Sequence, residues 1–268
     1  MTYSRRGVFG LISAGMITIP ALAETPQGMT EVVVDIKTPE LFQYSHNAEK
    51  KQRPASLVKL MTVYLLLIAI REKRVSLNTT IVTSLEATKQ EPTKVWLKEG
   101  EKFTVHEALC ALVVKSANDV AYATAEFLAE GSHQQFVLMM NDQAKNLGMS
   151  DTHYLDASGL SDSLDQHSTA ANTALLMSRI IQDFPFEYAI YFSRTEYYWR
   201  GKSYERNDRN RIFERTSIDG MKTGYTRKAR FNVAASYYVS DGVHKVMVIM
   251  KAPSYRTRLT VMKKLIIV

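Results

Sequence analysis

The 268-residue sequence contains a single cysteine, Cys110, which excludes an internal disulfide. Cys110 lies in the apolar run 108–112, so we expect a small core residue rather than a thiol nucleophile. The sequence also lacks a cysteine and histidine cluster with metal-ligand spacing, and it lacks a glycine-rich phosphate loop. We therefore expect neither a metal nor any other cofactor.

No internal repeat, low-complexity tract or glycine- and serine-rich linker divides the chain. Its 46% hydrophobic and 23% charged residues are ordinary for a globular protein. The formal net charge is +7, with Lys and Arg scattered among acids. We interpret this charge as a solvated basic surface and expect no nucleic-acid partner, although attraction to an anionic polymer remains the alternative.

The N-terminus has the pattern of an export signal. Arg5 and Arg6 precede the apolar stretch 8–19, and Ala21 and Ala23 fit a cleavage site. The apolar stretch is shorter than a typical membrane span, so we expect no transmembrane anchor in the mature chain. Residues 1–23 would be removed, which predicts a periplasmic or extracytoplasmic location. The two arginines resemble a twin-arginine signal, while the general secretory route stays open.

Hydrophobic periodicity predicts strands at both ends of the remaining chain and helices between them. The predicted segments are a hairpin of 31–36 and 41–44, helices at 57–70, 103–129 with a break at Ser116, 134–147 and 169–181, strand-like stretches at 187–199 and 213–221, a hairpin of 231–239 and 243–250, and a helix at 255–267. This order predicts an α+β fold in which both chain ends form one antiparallel sheet around an inserted helical subdomain. We expect a single domain over residues 24–268.

Three short motifs follow one another along the chain: Ser56-Leu57-Val58-Lys59, Ser116-Ala117-Asn118 and Lys222-Thr223-Gly224. Positions i and i+3 share one face of a helix, so Ser56 and Lys59 would be neighbours at a helix start. Each motif alone occurs by chance in many proteins. The three in this order are typical of class A β-lactamases and penicillin-binding proteins.

Longer stretches around the motifs, 54–62, 116–119 and 219–226, resemble the low-molecular-mass penicillin-binding proteins, and among them most closely the D-alanyl-D-alanine carboxypeptidases. The resemblance runs from about Val32 to the C-terminus. It implies a β-lactamase/transpeptidase-like fold, peptidoglycan stem peptides ending in D-Ala-D-Ala as substrates, and β-lactam antibiotics as covalent inhibitors. The chain stops at Val268, so we expect neither the C-terminal β-domain nor the amphipathic anchor of many relatives.

The residue chemistry agrees with this resemblance. A serine hydroxyl is a poor nucleophile and needs a base, and Lys59 can act as that base for Ser56 only when neutral. Lowering a lysine pKa from about 10.4 to 7–8 costs roughly 4 kcal/mol. We expect burial, the positive charge of Lys222 and the helix start to lower the pKa of Lys59.

The remaining predicted roles concern the substrate. Ser116 would relay a proton to the leaving D-alanine, Asn118 would position Lys59 and the substrate amide, and Lys222 would attract the terminal carboxylate. For Ser116 and Asn118 the competing interpretation is a helix cap. The resemblance adds four further substrate-binding positions, which are Thr223, Gly224, the backbone N–H of Tyr225 as an oxyanion donor beside that of Ser56, and Arg258 as a carboxylate ligand.

Three other functions compete. A class A β-lactamase needs a glutamate in an E-x-x-L-N loop, and none occurs between 119 and 222. A D,D-endopeptidase would cleave peptidoglycan cross-links with the same residues and stays open. A binding module with decayed catalysis would lack a catalytic residue, and here all are present. Three positions depart from the carboxypeptidase pattern, namely Tyr225, Arg230 in place of a glycine, and Ser158 in place of a histidine. His167 is interpreted as a loop-packing residue.

Overall fold

The computed structural model describes residues 25–206, 216–239 and 242–268. The predicted export signal, part of the predicted strand at 213–221 and most of the turn at 240–242 lie outside these residues. The strands are β1 (Thr30–Asp35), β2 (Phe42–His46), β3 (Thr80–Val82), β4 (Lys102–Thr104), β5 (Glu196–Trp199), β6 (Lys202–Glu205), β7 (Ile218–Thr226), β8 (Arg230–Tyr238) and β9 (His244–Ala252). The α-helices are α1 (Lys59–Arg71), α2 (Leu85–Thr88), α3 (Val105–Cys110), α4 (Asn118–Leu128), α5 (His133–Asn146), α6 (Ala170–Asp183), α7 (Pro185–Tyr191) and α8 (Tyr255–Leu265).

The main sheet has the strand order β2-β1-β9-β8-β7, with every neighbouring pair antiparallel. Strands β1 and β2 come from the N-terminal part of the chain and the other three from the C-terminal part. The helices α1 to α7 lie between them in sequence. The predicted α+β fold, with a sheet shared by both ends of the chain, is therefore confirmed.

Both faces of this sheet are covered. Along β1, Val32 and Val34 belong to the core that contains α1 and α6, whereas Val33 belongs to a second core beneath α8. Strand β9 alternates in the same way, with Val248 in the first core and Met247 in the second. The period-2 alternation of side chains thus distributes one apolar strand between two cores. This double burial fixes the strand register.

Helix α1 passes through the larger core, and ten of its 13 residues are buried. A helix that is apolar on all sides is typical of the interior of a protein. The predicted helix at 57–70 is confirmed, but Ser56 lies in a preceding 3₁₀ turn, Ala55–Val58. None of the helices in the described residues is long and apolar enough to cross a bilayer.

The prediction of a strand over 187–199 was wrong in its first half. Pro185 occupies the first turn of α7, and Tyr188 and Tyr191 are buried one turn apart, so the segment is a helix until Tyr191. The strand β5 begins only at Glu196 and pairs with β6, which the sequence analysis did not predict. Phe103 also lies in a strand, β4, rather than in the predicted helix.

Candidate active site

A cleft of about 320 Å³ lies where the start of α1, the break before α4 and the strand β7 meet. Seven of the nine predicted site residues line it, and the other two, Lys59 and Lys222, are buried next to it. The lining residues are Ser56, Pro92, Thr93, Ser116, Asn118, Gly159, Leu160, Thr223, Gly224, Tyr225, Thr226, Phe231, Tyr255 and Arg258. None of these lining residues is an aspartate or a glutamate.

Lys59 begins α1 with its amine beside the hydroxyl of Ser56. The Nζ atom lies 3.1 Å from Ser56 Oγ, and it donates hydrogen bonds of 2.6 Å to Asn118 Oδ1 and of 2.6 Å to the carbonyl oxygen of Ser158. The side chain is fully buried. The bonds to Asn118 and Ser158 therefore hold the amine within hydrogen-bond reach of Ser56 Oγ.

Burial lowers the pKa of Lys59 to about 7, although the negative charges of Asp156 and Asp119 oppose this change. The sequence analysis assigned part of the effect to the charge of Lys222. In the structure the repulsion between the two amines affects Lys222 instead. Burial and then the charge of Lys59 lower the pKa of Lys222 well below its ordinary value.

A break in the helical segment positions Ser116. The π-helical turn Ala111–Lys115 ends at this residue, which has φ 61° and ψ 38°, and α4 begins two residues later. The backbone N–H of Asn118 and the hydroxyl of Thr93 hold the break in place by bonding to Thr93 O and Ser116 O at 2.7 and 3.1 Å. The N-cap of α4 is Ala117 and has no side-chain cap, so neither Ser116 nor Asn118 caps the helix.

Lys222 enters the cleft from β7 and contacts Ser116. Its Nζ atom donates to Ser116 Oγ at 2.8 Å and to Thr223 O at 2.9 Å, and the side chain is 2% exposed. Arg206, whose charge also lowers the pKa of Lys222, donates to the carbonyl of Met221 on the same strand. The second and third motifs thus meet through one lysine–serine contact.

Among the described residues, strand β7 is an edge strand of the main sheet. Its outer side bonds to Phe192 and Arg206 at Met221, and no further strand of the described residues pairs with this side, so an extended peptide could add along Thr223 to Tyr225. Gly224 on this strand has a packing role that the sequence analysis did not foresee. A Cβ atom there would lie 2.9 Å from Pro54 O and 3.0 Å from Ser56 N. The glycine therefore lets β7 approach the turn that carries Ser56. Tyr225, which follows it, is 54% exposed.

Arg258 projects from α8 toward the cleft and is 6% exposed. Its Nη1 atom donates to Asn232 O at 3.2 Å, and its guanidinium lies over the ring of Tyr255 at 5.0 Å. The structure places this cation among the lining residues.

The loop after α5 contains an aspartate that the sequence analysis missed. The carboxylate of Asp156 accepts hydrogen bonds from the backbone N–H groups of residues 158–161, from Ser158 Oγ and from Gln166 Nε2. These bonds lower the pKa of Asp156 against the effect of burial. They also fix the Ser158 carbonyl that binds Lys59. An aspartate two residues before a Ser-Gly turn is a recognisable signal for such a loop.

Gly159 packs against the turn that carries Ser56. Its φ is +84°, and a Cβ atom would lie 1.9 Å from Ala55 O. Both the backbone conformation and the contact therefore require glycine at this position.

The departures from the carboxypeptidase pattern have distinct structural consequences. Arg230 has φ 61°, which is a conformation that glycine adopts readily and explains why a glycine is familiar there. Ser158 contacts Lys59 only through its backbone. Cys110 is 2% exposed and burial raises the pKa of its thiol, in agreement with a core residue. His167 Nδ1 donates to the carbonyl oxygen of Asp165 in its own loop, and His167 is not among the cleft-lining residues.

Comparison with known proteins gives a consistent result. A family model described as D-alanyl-D-alanine carboxypeptidase, peptidase family S11, matches residues 21–254. The D-alanyl-D-alanine carboxypeptidase DacD of Salmonella typhimurium is 35% identical over 243 residues, which are 88% of this chain and 60% of the relative. The chain spans about three fifths of the length of the curated relatives it matches.

Two solved structures share the fold. Penicillin binding protein 6B from Escherichia coli superposes with a TM-score of 0.82 and 32% identity, over 92% of this chain and 78% of that one. The ampicillin-bound form of penicillin-binding protein D2 from Listeria monocytogenes gives 0.77 and 26%, over 88% and 94%. Since the family model spans most of the sequence and the fold agrees, this chain belongs to the D-alanyl-D-alanine carboxypeptidase family of serine peptidases.

Proposed function

We propose that this protein is a serine D-Ala-D-Ala carboxypeptidase that removes the terminal D-alanine from peptidoglycan stem pentapeptides through an acyl-enzyme on Ser56. One observation carries the proposal. A buried lysine whose pKa is lowered to about 7 lies 3.1 Å from a cleft-lining serine hydroxyl. At neutral pH about half of such a lysine is uncharged and can accept the hydroxyl proton.

The first half of the reaction follows from this geometry. Neutral Lys59 takes the proton of Ser56, and Oγ attacks the carbonyl carbon of the penultimate D-alanine. The oxyanion that forms is stabilised by the backbone N–H groups of Ser56 and Tyr225. The leaving nitrogen receives a proton through Ser116 from Lys222, and the C–N bond breaks to release D-alanine. Before the second half, Lys59 releases the proton taken from Ser56 to solvent, and Lys222 regains one from solvent. Water then attacks the ester carbonyl while neutral Lys59 removes its proton. Lys59 passes this proton to Ser56 Oγ as the ester C–O bond breaks, which frees the acid and restores the serine hydroxyl.

The substrate's terminal carboxylate would bind near Lys222, Thr223 and Arg258. An anion beside Lys222 favours the charged ammonium and so opposes the effect of burial on its pKa. Asn118, which donates from Nδ2 to Glu91 O and accepts from Lys59, has a fixed amide that can bind the substrate backbone.

The same serine would be acylated by β-lactams. No aspartate or glutamate lines the described cleft, so the acyl-enzyme would lack the carboxylate that activates water in class A β-lactamases. We therefore expect β-lactams to inhibit the protein rather than be turned over. The Listeria relative named above was solved with ampicillin bound, which supports the same chemistry here.

The cellular place of the reaction is a further part of the proposal. We infer that residues 1–23 are an export signal and that residues 24–268 form the catalytic domain in the periplasm or another extracytoplasmic space. Peptidoglycan lies outside the cytoplasm. The inferred export signal and the inferred substrate therefore support each other.

Mass spectrometry of purified peptidoglycan after incubation with the protein tests the activity. Loss of one D-alanine from pentapeptides, absent with Ser56→Ala, is expected. Conversion of cross-linked dimers to monomers would instead establish the D,D-endopeptidase activity. Release of D-alanine by Ser56→Ala at the wild-type rate would contradict the nucleophile assignment.

A further inference from the structure

The positive charge of the chain is concentrated in its last part, in contrast to the even distribution expected above. Ten of the 34 Lys and Arg residues but one of the 27 Asp and Glu residues lie in 220–268. This segment therefore carries a formal charge of +9, and the rest of the chain carries −2. The whole basic excess belongs to β7, β8, β9, α8 and their connections.

Four of these cations lie within two residues of cleft-lining residues in the sequence, and we call them the cationic rim: Arg227, Lys228, Arg230 and Arg256. All four are exposed. Arg227 and Lys228 follow the cleft-lining Thr226, Arg230 precedes the cleft-lining Phe231, and Arg256 follows the cleft-lining Tyr255.

A hydrogen bond joins the parts of the rim. Arg230 Nη2 donates to Pro253 O at 3.0 Å, so the β7–β8 turn lies against the entrance to α8. Within the described residues none of the four rim cations forms an ion pair with a carboxylate. Asp162 accepts from Thr226 Oγ1, next to the turn, at 2.7 Å. Over the part of the chain that the structure describes, the rim is thus a patch of positive charge without a paired carboxylate.

If the proposed function is right, the orientation of the bound peptide places the residues that precede its D-Ala-D-Ala end at the cationic rim. Lys222 and Ser116 serve the leaving D-alanine, and the N–H of Tyr225 serves the scissile carbonyl. A peptide that lies along the open edge of β7 therefore continues from Tyr225 toward Thr226 and the turn. Strand β7 ends at Thr226, one residue beyond Tyr225, and Arg227 begins the turn that follows.

We propose that the cationic rim binds carboxylates of the substrate upstream of the D-Ala-D-Ala unit, so that the preferred substrate is an acidic peptide. Each exposed contact of this kind is weak, but several cations beside the cleft-lining residues also steer an anionic ligand toward the cleft. The rim thus selects the acyl side of the substrate, while Lys222 and Arg258 serve the leaving side.

Two synthetic pentapeptides ending in D-Ala-D-Ala test this proposal, one with two glutamates upstream and one with glutamines in their place. The wild-type protein should have about tenfold higher kcat/KM for the acidic peptide at low ionic strength, and this preference should fall in 0.5 M salt. The triple variant Arg227→Gln, Lys228→Gln, Arg256→Gln should lose the preference and retain its rate on the glutamine peptide.

A control variant removes the same charge far from the cleft: Lys145→Gln, Lys263→Gln, Lys264→Gln. Lys145 is on α5, and Lys263 and Lys264 are in the last turn of α8, about 10 Å along the helix from Arg256. This variant should keep the preference, and an equal loss in both variants would show that only net charge matters and overturn the proposal.

Acylation of Ser56 by benzylpenicillin separates this inference from the proposed function. If the wild-type protein is acylated and releases D-alanine from both peptides at the same rate, the activity stands and the rim proposal is wrong. If neither reaction occurs, the proposed function itself is wrong.

Discussion

The cleft has two walls that each bury one lysine. The helical wall is the start of α1 and buries Lys59, and the strand wall is β7 and buries Lys222. The surroundings of the two amines differ. On the helical wall, the negative charges of Asp156 and Asp119 raise the pKa of Lys59 against the effect of burial. On the strand wall, the charged neighbours of Lys222 are Lys59 and Arg206, which are both cations. Burial lowers the pKa of both lysines. The carboxylates of the helical wall keep the pKa of Lys59 near neutrality, where a base is most useful.

The difference assigns separate moments of the reaction to the two amines. In the proposed reaction Lys59 accepts the proton of Ser56 during the attack on the substrate. Burial and the charges of Lys59 and Arg206 lower the pKa of Lys222, whereas an anionic ligand in the cleft would raise it. The following predictions challenge or refine this contrast.

Replacement of the helical-wall base should have the largest effect. Lys59→Met should lower the acylation rate by about 10³-fold, because general-base catalysis contributes roughly 10²–10⁴. Lys222→Met should lower kcat/KM by about 10- to 100-fold, since a charged hydrogen bond is worth about 1.5–3 kcal/mol. Stopped-flow acylation by a chromogenic cephalosporin measures both, and circular dichroism checks folding. Equal losses would remove the distinction between the two walls.

Gly159→Ala should disrupt the support of the helical wall. A Cβ atom 1.9 Å from Ala55 O forces the turn that carries Ser56 to move, and we expect a loss of about 3 kcal/mol in the free energy of unfolding together with most activity. Urea unfolding measures the first effect. Gly148→Ala is the matched control, because Gly148 has φ +78° with no atom within 4 Å of its Cβ position. It should cost about 1 kcal/mol and leave activity unchanged.

Asp156→Asn should move the pH profile. Below the pKa of Lys59, about 7, the amine is protonated and cannot act as a base, so acylation should rise as pH increases through that value. Asparagine keeps an oxygen acceptor but removes the negative charge that favours the ammonium. The pKa of Lys59 then falls, and the acid limb of kcat/KM shifts to lower pH.

Asp165→Asn, an exposed carboxylate of the same loop, is the control for this shift and should leave the limb in place. A limb that does not move in Asp156→Asn would show that Asp156 acts on Lys59 only through the Ser158 carbonyl.

The smallest effect concerns the strand wall. Arg230 has a left-handed backbone, so Arg230→Gly should stabilise the protein by about 1 kcal/mol, less the loss of its bond to Pro253 O. Thermal unfolding measures this gain. Arg227→Gly, at a position without positive φ in the same turn, should stabilise nothing.

The residues that meet at the cleft were predictable because the proposed chemistry demands particular side chains at short spacings, as in Ser56 and Lys59. The shared sheet followed from apolar alternation at both ends of the chain. The helix α7 was not predictable, because its tyrosines and phenylalanines favour strands locally and only tertiary burial of Tyr188 and Tyr191 decides for a helix. Asp156 was missed because its spacing from Ser158 and Gly159 indicates only a loop. Its effect on Lys59 comes from the charge of its carboxylate and from the Ser158 carbonyl that it positions, and both depend on the tertiary structure.

The sharing of the sheet between the two ends of the chain has a consequence for the order of events during synthesis. Ser116 and Lys222 are 106 residues apart in sequence and become neighbours only when β7 joins the sheet. A chain whose synthesis has not yet reached β7 therefore holds Ser116 without Lys222. We expect labelling by a β-lactam to count only molecules in which β7 has joined the sheet.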